Sequence, residues 1–124
     1  MDILKRIQLI ESLAYIREEK IRYSGSKILS LARKQFQLVY KKDQTNCERW
    51  SLKLFKQGGE KINEKRMKCL AIAEKNGYIA EIKFIKSMVS KCKDEKCVEM
   101  LKERVFQLNK WIKELNDEIS GKEY

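Results

Sequence analysis

Four cysteines and an excess of lysine are the side chains in this sequence most able to do chemistry. Cys47, Cys69, Cys92 and Cys97 are even in number. A four-cysteine zinc site draws its ligands as two close pairs, because each pair sits on one knuckle. Here Cys92 and Cys97 have four residues between them, and the other two stand alone in helical stretches. That spacing argues against a metal centre. A disulfide involving Cys92 or Cys97 would need an oxidising compartment. The expectation is reduced, mostly buried thiols that pack as small apolar side chains.

Missing residues remove further chemistry. With no His there is no Ser-His or Cys-His pair and no imidazole proton shuttle. The five glycines form neither G-x-G-x-x-G nor G-x-x-x-x-G-K-[ST], so no phosphate-cradling loop is visible. Carboxylates are scattered among lysines on helix surfaces, where nothing pushes them toward catalytic pKa values. No catalytic residue, metal, cofactor or small-molecule substrate is assigned, and the chain reads as non-enzymatic.

Charge is the feature that points outward. The chain carries 28 basic and 18 acidic residues, a net charge of +10. Between Arg33 and Lys56 there are seven basic and two acidic side chains, which is half the excess. Lys27, Lys34 and Lys41 recur every seven residues, and Lys42, Arg49 and Lys56 repeat that period one position over. On a continuous helix these rows make a basic stripe about 40 Å long. Lys27, Arg33, Lys34, Lys41, Lys42, Arg49, Lys53 and Lys56 are therefore the candidate residues for an anionic partner.

Phosphates along a nucleic acid would match such a stripe through non-specific contacts. Tyr40, Trp50 and Phe55 are interleaved with it, and aromatics beside cations can stack bases. Trp50 falls on the apolar seam, however, and reads as core. Lys outnumbers Arg 21 to 7, whereas bidentate phosphate recognition favours Arg. The first expectation is a small basic protein that binds nucleic acid, or sits in a nucleoprotein assembly, through backbone electrostatics. The alternative is a helical adaptor, regulator or inhibitor that docks on an acidic protein surface. A membrane is the weakest partner: the longest apolar run, Cys69–Ala73, is far short of a span.

The elements that carry these residues are helices. The chain has no Pro and is rich in Lys, Glu, Leu and Ile. Ile3, Ile7, Ile10, Ala14 and Ile21 mark a first helix over about 2–23. A second runs to about 57, with Leu29, Ala32, Phe36, Val39, Trp50 and Leu54 on its seam. Thr45-Asn-Cys-Glu48 matches a capping box, so a break near Asp43–Thr45 competes with the favoured single helix. A third covers about 60–92, with Ile62, Cys69, Ala73, Ala80, Phe84 and Met88 inward and a kink or break at Asn76–Gly77.

The last helix follows Lys93-Asp94-Glu95. Val98, Leu101, Val105, Leu108, Ile112, Leu115 and Ile119 step by three and four without an error. An antiparallel bundle helix is favoured over an intermolecular coiled coil, although a homo-oligomer through the 98–119 seam stays open. The expected architecture is all-α, a compact up-down-up-down bundle of about four long antiparallel helices in one domain over 1–124. With no export signal evident and thiols reduced, a cytoplasmic location is the default.

Overall fold

The computed structural model describes residues 21–56 and 62–121. They form three long helices: α1, Gly25–Lys56; α2, Ile62–Met88; and α3, Glu95–Ile119. A short 3-10 turn, Val89–Lys91, follows α2. The all-α expectation holds, but the four-helix, up-down-up-down expectation does not.

The helix expected over 2–23 falls almost wholly outside the described residues, as does the Gly58-Gly59 stop. Its described end, Ile21–Tyr23, is not helical. Tyr23 instead bridges Cys92 in parallel: its N–H donates to the Lys91 carbonyl at 2.9 Å, and the Lys93 N–H donates to the Tyr23 carbonyl at 2.8 Å. Ser24 then caps α1, its Oγ accepting from the Lys27 N–H at 3.2 Å. A residue that caps one helix has left helical geometry, so no helix runs through it.

α1 is continuous across Asp43–Thr45. The capping-box match is accidental, because Thr45 donates its hydroxyl back to the Lys41 carbonyl at 2.9 Å, a mid-helix bond. α2 is likewise unbroken at Asn76–Gly77 but ends at Met88, short of the expected Cys92. α3 begins where expected, with the Asp94 carboxylate accepting from the Cys97 N–H at 2.9 Å.

α2 is the middle helix and packs on both α1 and α3. It must bury two faces, so a single seam described it badly. Ala73 is buried as expected, while Ile62, Cys69 and Ala80 are partly exposed; Ala71, Gly77, Tyr78, Glu81, Ile82 and Ile85 are buried in addition. α3 kept its seam: Leu101, Leu108 and Leu115 are buried, and Val105, Ile112 and Ile119 pack against the core.

Trp50 is not core but 41% exposed. α1 rests chiefly on α2, and the buried residues of its second half are Cys47 and Ser51. Trp50 lies about 100° round the helix from Ser51.

The cysteines are disulfides, not thiols. Cys47 of α1 joins Cys69 of α2 with Cα atoms 5.7 Å apart, and Cys92 joins Cys97 at 5.5 Å. Antiparallel pairing of α1 and α2 brings the two isolated cysteines opposite each other. Their partnership was invisible to spacing rules because those count along one chain segment.

Candidate anionic-partner interface

α1 turns both of its acidic residues toward α2. Asp43 Oδ2 accepts from the Asn76 side-chain amide at 3.1 Å. Glu48 Oε1 accepts from Arg66 Nη2 at 2.6 Å and from Nε at 3.0 Å. That hydrogen bond, with the carboxylate's charge behind it, raises the Arg66 guanidinium above its ordinary pKa.

The charges that remain outward are cationic. Lys27, Lys34, Lys41, Lys42, Arg49, Lys53 and Lys56 are all exposed. At 3.6 residues per turn they fall within an arc of about 120°. Among the described residues none of the seven has an ion-pair partner. Lys53 and Lys56 occupy the last turn, where cations also complement the helix dipole.

Arg33, the eighth candidate, stands apart. Its guanidinium lies 4.5 Å over the Phe36 ring and 4.0 Å from Glu81 Oε1. Glu81 is 1% exposed. Arg104 of α3 donates to it through Nε at 2.8 Å and Nη2 at 3.4 Å, and covers the Trp111 ring at 5.2 Å. This buried carboxylate, held between cations of α1 and α3, was not foreseen, since a lone Glu among lysines carries no sequence signal.

The aromatic side chains divide in the same way. Tyr40 stacks on Phe36 at 5.6 Å, Phe36 on Tyr78 at 4.9 Å, and Tyr78 meets Trp111 at 5.4 Å. Tyr40 thus turns inward. Tyr78 also donates to Glu74 at 2.7 Å; burial first, then that bond, push its hydroxyl up to about 12. Trp50 and Phe55 are exposed, but the helical period places both outside the cationic arc. The arc therefore has no aromatic platform of its own.

It has leucines instead. Leu31, Leu38 and Leu52 fall inside the arc, with Thr45 completing the same seven-residue line. Leu38 is 67% and Leu52 62% exposed. Lys34, Gln37, Leu38, Lys41, Lys42 and Thr45 line one shallow depression there. The signal was readable as a seven-residue leucine spacing between two basic rows, which the charge pattern masked.

No family model, curated protein or solved structure matches this chain. Among the described residues no group of three or more Cys, Asp and Glu gathers as a metal site. None of the described helices is long and apolar enough to cross a membrane.

Proposed function

We infer that this is a non-enzymatic binding protein that docks on an acidic macromolecule through the outer face of α1. One observation carries this reading: both acids of α1 are engaged by side chains of α2, leaving seven exposed cations, unpaired among the described residues, on one arc. An acidic protein surface fits better than nucleic acid. Exposed leucines among the lysines offer nothing to a phosphate backbone, and the aromatics that could stack bases lie elsewhere. The seam at 98–119 supports no oligomer in this reading, because Leu101, Leu108 and Leu115 already pack inside the chain. Two disulfides support a compartment that keeps them oxidised, in place of the cytoplasm.

The test is a triple reversal, Lys34→Glu, Lys41→Glu and Arg49→Glu, beside a charge-matched control at exposed Lys83, Lys96 and Lys110. Binding to poly-glutamate and to duplex DNA is measured across a salt series. The α1 reversal should abolish binding to poly-glutamate while the control retains it and both keep the wild-type melting curve. Equal binding by the two variants would reduce the face to a solvated surface. A steep salt slope on DNA, with no binding to poly-glutamate, would return the reading to nucleic acid.

A further inference from the structure

We propose that the outer face of α1 is a docking strip for an acidic amphipathic helix of another protein. This rests on the binding face inferred above and specifies its partner. Leu31, Leu38 and Leu52 stand on one line with a period of seven residues. A row of Lys27, Lys34 and Lys41 flanks the line on one side, and Lys42, Arg49 and Lys56 flank it on the other. An apolar line between two rows of one sign is half of a helix–helix seam, with its flanking charges in the places that select a partner.

Charge chooses the occupant. A second copy of this chain would set seven lysine and arginine side chains against seven more, a juxtaposition that like-charge repulsion opposes. A nucleic acid would satisfy the cations and leave Leu38 and Leu52 against solvated phosphate. A helix with an apolar residue every seven positions and Asp or Glu on both sides satisfies both features. Its leucines would cover Leu38 and Leu52, which are 67% and 62% exposed, and its carboxylates would reach Lys34, Lys41, Lys42 and Arg49. The shallow depression around Leu38 supplies a seat for one anchoring side chain.

The experiment uses the full oxidised chain and three probes. One is a synthetic peptide with leucine at seven-residue spacing flanked by glutamates; the second has its composition scrambled; the third is poly-glutamate. The ordered peptide should bind at least about tenfold tighter than the scrambled one. Leu38→Gln with Leu52→Gln leaves the net charge at +10 and should weaken the ordered peptide about tenfold or more. Its salt slope and its affinity for poly-glutamate should not change. Both leucines are exposed, so a wild-type melting curve for the variant confirms that the fold is intact.

Equal affinity of wild type and the leucine variant for the ordered peptide would overturn this proposal. If poly-glutamate binding still vanished on the triple charge reversal, the broader binding reading would stand without it. Absence of binding to all three probes would overturn both.

Discussion

Gly77 lies so close to Phe36 that a β-carbon on the glycine would sit 2.5 Å from the ring's Cδ2. Two long helices approach each other through this contact. The glycine that looked like a breaker in the sequence is a packing position. Gly77→Ala gains about 1 kcal/mol of helix propensity. Displacing the ring outweighs that gain, so the variant should be less stable by about 1–2 kcal/mol in urea denaturation. Phe36→Leu should rescue part of the loss, which a double-mutant cycle would show as coupling between the two positions. A more stable Gly77→Ala protein would contradict the contact.

The buried carboxylate of Glu81 gives a second expectation. Arg104→Ala removes its nearest cation and leaves Arg33 at 4.0 Å. The loss should be about 3 kcal/mol, because a buried charge is left poorly compensated. Replacing both members, Glu81→Leu with Arg104→Leu, should be milder than Arg104→Ala alone. Denaturant midpoints of the three proteins decide the order.

The two disulfides should differ in weight. Cys47–Cys69 spans 22 residues and Cys92–Cys97 spans five. Loop-closure entropy assigns about 3 kcal/mol to the longer link and about 2 kcal/mol to the shorter. Paired Cys→Ser variants, melted side by side, should follow that order. The untreated protein should show no reactive thiol in a denatured thiol titration, whereas four would appear after reduction.

Tyr78 should ionise late. Its folded pKa is pushed up to about 12, above the ordinary value of 10. A raised pKa means that the native state holds the proton more tightly than the unfolded one. The stabilisation is therefore complete below pH 10 and is lost as pH rises toward 12. Tyrosinate absorbance should show a final step that Tyr78→Phe removes. The variant's stability should also fall less than wild type's across that window. Identical alkaline stability profiles would refute the linkage.

Legibility of the fold from sequence followed the number of neighbours each helix has. α3 keeps one seam against the rest of the bundle, so Val98 to Ile119 announced itself by spacing alone. α2 serves two neighbours, and its buried residues spread over about 180° of the helix, from Ala73 round to Ile82, which is wider than one seam. Cys47 and Cys69 pair because of the α1–α2 register, which periodicity within either helix does not contain. Seven of the eight candidate cations share the outer face, because the period that grouped them is the helix's own. Arg33 was grouped by proximity in sequence and turns instead to Glu81.

Along one side of α1, Phe36 meets Gly77, Asp43 meets Asn76, Cys47 is bonded to Cys69 and Glu48 grips Arg66. A slide of one helical turn, about 5.4 Å, would undo all four together, and so would any rotation of α1 about its axis. The helix is thus clamped like the beam of a caliper. Its outer graduations, Leu31, Leu38, Thr45 and Leu52 at one position about every 10.5 Å, take their phase from those four contacts. The spacing offered on the outer side is therefore fixed by bonds made on the inner one.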